Sequence, residues 1–236
     1  MQMRKAALIF ICAAGVCLLG RSRETALPAS GPAEVADQRQ YIALTFDDGP
    51  RRSTTARLLD GLLERGASAT FFVVGEELSG CEDLVERMLA EGHQIGNHTW
   101  SHVCLKDISP EAAAEEIGRT DTALRTLTGD RPYWLRPPYG LVPPDFAAQT
   151  PMVAWSVDPR DWESRDTEKV VRAVLEKAGP NAIILLHDIY APSVDAALEI
   201  VDALQAKGYT FVTVEELLRL NGVIPRDGVM YRSGDA

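Results

Sequence analysis

Tyr41-Ile42-Ala43-Leu44-Thr45-Phe46-Asp47-Asp48-Gly49-Pro50 is the stretch on which the reading of the whole chain turns. An apolar run ends abruptly in two adjacent carboxylates and then a turn. The run has the length and residue content of a buried strand, and Gly49-Pro50 stops it. Two anions side by side at a strand end repel each other, and partial burial makes that worse. Such a pair caps the next helix or meets a cation, either a metal ion or an arginine. The rest of the chain offers the cations.

Outward from this strand the pattern alternates. A helix over 54–65 presents Leu58, Leu59, Leu62 and Leu63 on one face, and 70–74 is β-branched and aromatic, hence a strand. A helix over 82–91 stops at Gly92, and 94–96 forms a short strand. Ser109 and Pro110 are N-cap and first residue of a helix that runs to Thr128 before Gly129. Short strands follow at 134–136 and 152–157, then a helix over 168–177 and an apolar strand over 182–186. A helix over 193–207 ends at Gly208, 209–213 is the last strand, and Thr213 to Glu216 is a capping box for a final helix. Strands alternating with helices predict a parallel sheet with right-handed crossovers. Asp47, Asp48, His98, Arg136, Asp158 and His187 all fall at or just past strand ends. That favours a barrel, whose site gathers residues from several strands, over an open sheet with one switch point.

The chain has 236 residues and a formal net charge of −10. The length suits one domain plus an N-terminal extension. The acidity argues against nucleic acid as a partner, since binding phosphates needs a basic footprint. Residues 1–22 read as a signal peptide or an N-terminal membrane anchor. Arg4 and Lys5 precede a 15-residue apolar run from Ala6 to Gly20, shorter than a membrane span, and Arg21 and Arg23 follow it. Cleavage and retention as a tether both stay open. Residues 23–39, rich in Pro, Ala, Ser and Gly, read as a flexible tether. The folded domain is placed at 40–222 and a C-terminal tail at 223–236. The expected location is outside the cytosol, secreted or anchored to the outer face of a bacterial cytoplasmic membrane. There Cys81 and Cys104 either pair or stay free.

The chemistry collects in short segments. Asn97-His98-Thr99-Trp100-Ser101-His102 sets two histidines four apart, and on one helical turn both would face a shared metal ion. With one oxygen of the Asp47-Asp48 pair, the set is two imidazoles and a carboxylate, the composition of a hydrolytic metal site. Zinc suits such donors first, with cobalt, nickel or manganese as alternatives. In Arg136-Pro137-Pro138-Tyr139-Gly140 the prolines stiffen the backbone around an arginine able to hold a carboxylate in bidentate fashion. Asp158-Pro159-Arg160-Asp161-Trp162 ends one strand, and Leu185-Leu186-His187-Asp188 ends another. His93 has no motif around it and reads as a core residue.

In this order, these segments resemble the polysaccharide deacetylase family with the NodB-homology domain, carbohydrate esterase family 4. The likeness runs from about Tyr41 to Leu220. It implies a single domain with a distorted (β/α)7-type barrel. It also implies a hydrolase that removes N-acetyl groups from peptidoglycan or chitin-like glycans. By position, Asp48, His98 and His102 match the metal ligands and Asp47 the general base, held by Arg136. The Tyr139 amide matches the oxyanion donor. His187 matches the general acid and Asp158 its charged partner, while Trp162 and Leu185 match apolar walls of the acetyl pocket. The loop Leu141-Val142-Pro143-Pro144 departs from the expected pattern by lacking a polar residue. An esterase acting on O-acetylated xylan, and a non-catalytic glycan-binding domain of the same fold, are the alternatives.

Overall fold

A computed structural model of the chain describes residues 40–235. The segments read as a signal or anchor and as a tether lie outside the described residues. Along the chain the elements are β1 (Gln40–Asp47), α1 (Arg52–Glu64), β2 (Thr70–Val73), α2 (Glu82–Ala90), β3 (Gln94–Asn97), α3 (Pro110–Thr128), β4 (Met152–Val153), α4 (Asp161–Ser164), α5 (Thr167–Lys177), β5 (Ile183–His187), α6 (Ala191–Gln205), β6 (Tyr209–Phe211), α7 (Val214–Leu220) and β7 (Met230–Tyr231).

Strand β1 is the centre of the sheet. Its upper half pairs in parallel with β2 and with β5, and its first residues pair with β6. Strand β3 continues the order beyond β2. From there single bridges carry the pairing round: Asn97 to Leu135, Leu135 to Met152, and Val157 to Ile184 on β5. The ring therefore closes as a distorted barrel, tightly laddered on one side and stitched by isolated bridges on the other.

Alternation along the strands sorts side chains into two layers. Ile42, Leu44 and Phe46 of β1, with Phe71, Ile184 and Leu186, point outward and pack under the helices with Leu58, Val85, Val174 and Ile200. Phe46 stacks on Phe71 with ring centroids 5.2 Å apart. Each fully buried leucine or phenylalanine in this layer stabilises by about 1.5–3 kcal/mol. Ala43, Phe72, Val153 and Ile183 point the other way and fill the barrel with Trp134 and Tyr231. The same inward row carries Thr45 and Asp47 on β1 and Leu185 and His187 on β5, so polar groups top an apolar plug.

Helix starts follow the sequence chemistry. Ser109 Oγ accepts from the Ala112 amide at 3.2 Å, and Thr213 Oγ1 accepts from the Glu216 amide at 3.1 Å. Elsewhere the structure corrects the reading. Leu63 is 58% exposed, because the α1 stripe is made by Leu58, Leu59 and Leu62 and the next position turns away. Residues 134–136 form no strand, only the two single bridges of Leu135: Pro137 and Pro138 cannot donate to a ladder. Residues 223–235 are no loose tail, since β7 pairs with β4 and Tyr231 is buried in the barrel plug. Cys81 and Cys104 are both free. Among the described residues no helix is long and apolar enough to cross a membrane.

Candidate active site

At the carboxyl end of the barrel, β1, β3, β5 and the segment after Leu135 deliver their polar side chains to one place. In the β1–β5 register Asp47 lies directly opposite His187. One residue later Asp48 adopts φ 72°, which swings its carboxylate away from that of Asp47. The cis Gly49–Pro50 bond follows. Gly49 allows the chain to graze a buried carboxylate, because a Cβ there would collide with Asp188. Asp188 accepts from Thr55 Oγ1 beneath this turn, and its burial pushes it up to about 7.

The two histidines do not share a helical turn. After β3 the chain runs through an irregular loop in which Thr99 (φ 66°) and His102 (φ 57°) are left-handed, and these reversals bring both rings to the same side. The ring centroids lie 4.9 Å apart. His98 Nδ1 is 2.6 Å from the Arg136 carbonyl, which only accepts, so Nδ1 carries the proton and Nε2 is left with a lone pair. That Nε2 lies 3.6 Å from Asp48 Oδ1, and His102 Nε2 lies 3.2 Å from the same oxygen. Asp48 Oδ1 is buried and has no hydrogen-bond partner. A buried anionic oxygen left bare, facing two imidazole nitrogens, is costly unless a cation sits among them. The ligand atoms of Asp48, His98 and His102 all lie within 4.8 Å of one another, a donor set that fits a divalent ion.

Asp47 is 3% exposed and Arg136 wholly buried. Arg136 Nη1 donates to Asp47 Oδ1 at 2.8 Å and to Thr45 Oγ1 at 2.7 Å. Nη2 donates to the Ala154 carbonyl at 2.9 Å, and Cζ lies 4.1 Å over the Phe72 ring. The arginine thus gives Asp47 one bond and spends its other donors on the barrel wall, in place of the bidentate grip. Burial works to raise the Asp47 carboxyl, but Arg136, His98 and His187 overrule it and hold it below the usual carboxylate value.

His187 is gripped by Asp161. Nδ1 lies 2.8 Å from Asp161 Oδ1, and the His187 amide donates to Oδ2 at 2.9 Å. Asp161 is fully buried. Burial would lower His187, yet Asp161, Asp47 and Asp48 raise it to about 9. This corrects the expectation for Asp158, whose Oδ1 instead accepts from the Arg160 amide at 2.8 Å in a local turn. Arg160 at φ 55° reverses the chain there and sends the second carboxylate of the motif inward.

Of the remaining expected residues, Tyr139 has φ 60° and ψ 5° and stands 62% exposed, its ring edge-on to His102 at 5.0 Å. Trp162 is 44% exposed on the rim, whereas Leu185 is buried in the wall two residues below His187. His93 is a core residue, accepting from the Ala69 amide at 3.1 Å and pushed down to about 4 by burial. Sequence reasoning missed Asp161, although it stands in the same motif as Asp158. It also missed Asn97 and Glu116, which fasten the histidine loop. Asn97 Oδ1 accepts from the Thr99 amide at 2.7 Å. Glu116 Oε2 on α3 accepts from the amides of Trp100 and Ser101 at 3.0 and 2.8 Å.

A family model described as polysaccharide deacetylase matches residues 34–154. The peptidoglycan-N-acetylmuramic acid deacetylase PdaC of Bacillus subtilis is 42% identical over 187 residues, covering 78% of this chain and 40% of PdaC. A peptidoglycan-N-acetylglucosamine deacetylase of Bacillus cereus is 36% identical over 199 residues, covering 80% of this chain and 71% of that one. The solved structure of a family 4 acetyl xylan esterase from Clostridium thermocellum, in complex with a cobalt ion, is similar with a TM-score of 0.76. It is 35% identical and covers 82% of this chain and 98% of that one. The chain spans 40% of the length of the first curated relatives it matches.

Proposed function

Because the chain belongs to the polysaccharide deacetylase family, we propose that it is a metal-dependent hydrolase that removes N-acetyl groups from a peptidoglycan or chitin-like glycan. The observation that carries this reading is the bare Asp48 Oδ1 facing His98 and His102, with an anchored carboxylate and a charged imidazole beside it. Asp48, His98 and His102 would hold the ion, zinc by donor type, with cobalt, nickel or manganese as competitors. A bound dication supplies Lewis acidity and lowers the pKa of water from about 15.7 toward about 7.

The chain's own groups divide the remaining work. Asp47, kept ionised by Arg136, takes a proton from the attacking water as its oxygen bonds to the acetyl carbon. The Tyr139 amide, turned by its left-handed backbone, donates to the carbonyl oxygen as charge builds there. One such donor is typically worth about 3 kcal/mol. The carbon–nitrogen bond then breaks. An amine leaves poorly unless protonated, and His187 Nε2 gives it a proton while Asp161 holds Nδ1 and the charge. Acetate and a free amino sugar result. Trp162 and Leu185 would line the acetyl methyl side. The basic and apolar N-terminal segment supports action outside the cytosol, in secreted or tethered form.

Acetate release from peptidoglycan, chitin oligomers and acetylxylan, with and without chelator and added divalent ions, tests the reading. Expected is chelator-sensitive release from the N-acetylated substrates. Release from acetylxylan alone would replace it with the O-acetyl esterase reading, which the likeness to an acetyl xylan esterase favours. Asp47→Asn is expected to bind metal as the parent does and lose turnover by about 100-fold or more. Unchanged glycan binding with no turnover in the parent would mark a non-catalytic binding domain.

A further inference from the structure

On the His187 side of the cleft the rim carries two arginines, one at each end of the short helix α4. Arg160 (φ 55°) and Arg165 (φ 46°) are both left-handed, so the turn that buries Asp161 and exposes Trp162 is bracketed by two strained residues. Their charges are handled differently. Arg160 is neutralised by Glu163, Nε to Oε2 at 2.8 Å. Arg165 has no carboxylate partner among the described residues. Its Nε donates to the Trp162 carbonyl at 3.3 Å, and its guanidinium lies 4.4 Å over the ring of Tyr190. Tyr190 in turn lies 6.5 Å from the His187 ring, centroid to centroid. The guanidinium is therefore fixed at Nε and stacked on one face, with both Nη groups unspent, one aromatic ring away from His187. Stacking and one anchoring bond hold a planar fork whose order is already imposed, the state in which arginine best receives a carboxylate. An uncompensated cation so held at the rim of a chain with net charge −10 points to an anionic group on the ligand.

We propose that Arg165 is a specificity-determining residue that receives a carboxylate of the glycan on the leaving-amine side of the cleft. The favoured substrate is then an N-acetylated sugar chain with an acidic substituent, such as the lactyl ether of muramic acid, over a neutral N-acetylglucosamine chain. The proposal rests on the deacetylase reading for the identity of the ligand, and its test separates the two. Binding and acetate release are measured for three oligosaccharides of equal length: N-acetylglucosamine only, N-acetylmuramic acid-containing with free carboxylates, and the same with the carboxylates amidated. The full chain is compared with Arg165→Gln and Arg165→Lys. Expected is that the parent binds the free-carboxylate oligomer about fivefold more tightly than the amidated one, a single partly exposed charge-assisted contact. Arg165→Gln erases that difference, appearing in KM with kcat retained, while the neutral oligomer is unaffected and Arg165→Lys restores part. The dissociation constants judge Arg165 even where no acetate is released, an outcome that would sink the deacetylase reading alone. Equal losses on all three oligomers, or a parent that does not distinguish free from amidated carboxylates, would overturn the proposal.

Discussion

At the scale of single residues, the proton on His187 is decided by burial against three carboxylates. Burial drives the imidazole down, and Asp161, Asp47 and Asp48 together lift it to about 9. A dication held by Asp48 would offset part of that lift, so the share from Asp161 is the one that would persist. Because the folded value lies above the ordinary 6.5, the pair stabilises the fold fully below that pH, and the contribution fades as pH rises through about 9. Asp161→Asn removes the nearest anion and leaves burial the stronger influence. The alkaline limb of kcat/KM should then move down by about 1–3 pH units, whereas Asp158→Asn should leave it in place. Paired pH–rate profiles decide between the two carboxylates. Asp47 runs the other way. Held below the ordinary carboxylate value, it stabilises above that value, and the contribution is lost as pH falls through its depressed folded pKa. Arg136→Gln lets burial win, so the acid limb should climb toward neutrality, with a loss of about 3–5 kcal/mol in urea unfolding from the stranded charge. The residue types at the site were legible because few chemistries need adjacent carboxylates, paired histidines and an arginine together. Which aspartate of Asp158-Pro159-Arg160-Asp161 turns inward was not, since a left-handed Arg160 decides it, and nothing in the side-chain pattern announces that.

At the scale of elements, the loop that carries His98 and His102 borrows its shape from α3. Thr99 and His102 sit in conformations that non-glycine residues avoid, so something outside the loop must hold them. Glu116 does so with one carboxylate, accepting from two loop amides and from Ser101 Oγ at 3.0 Å. Asn97 does so from the strand side, its Nδ2 donating to the Ile117 carbonyl at 2.9 Å and to Asp121 Oδ1 at 2.8 Å. Glu116→Ala should therefore weaken metal affinity by about 10–100-fold, as loss of an outer hydrogen-bonding partner does, while far-UV dichroism stays that of the parent. Competition with a chromogenic chelator reads the affinity, and an unchanged value would show that the loop holds itself. The helix itself was plain in the sequence, from Ser109 to Gly129, because capping and propensity are local. Its service to the loop was hidden, because it depends on which face of α3 meets β3. The i, i+4 spacing of His98 and His102 pointed to neighbouring rings but to the wrong backbone: two left-handed residues converge the rings as a helical turn would.

For the molecule as a whole, closure of the barrel links the last residues of the chain to Arg136, which holds Asp47. Strand β7 covers β4: the Met152 amide donates to the Val229 carbonyl at 2.8 Å, and the Ala154 amide to the Tyr231 carbonyl at 2.7 Å. The segment 152–154 so held offers its own carbonyls, of Val153 and Ala154, to Arg136 Nε and Nη2. Arg136 then has only one direction left in which to present Nη1, toward Thr45 and Asp47. Further along, the Gly234 amide donates to the Asn181 carbonyl at 2.7 Å, and Ser233 bridges Ala182 just before β5. A chain ending at Gly222 would lose Tyr231 from the barrel plug and leave two wall amides without acceptors. Loss of a buried aromatic costs about 3–5 kcal/mol, and each stranded amide about 1–3 more, a large share of the about 5–15 kcal/mol that holds a domain together. Tyr231→Ala, the milder lesion, should lower the unfolding free energy read from the urea transition by about the first figure. It should also depress turnover more than metal affinity, because the wall that aims Arg136 loosens while Asp48, His98 and His102 keep their own supports. Equilibrium unfolding followed by tryptophan fluorescence, read beside chelator competition on the same samples, measures both. A chain cut at Gly222 that unfolds at the parent's urea concentration and turns over at its rate would refute the linkage and return residues 223–235 to the status of a tail.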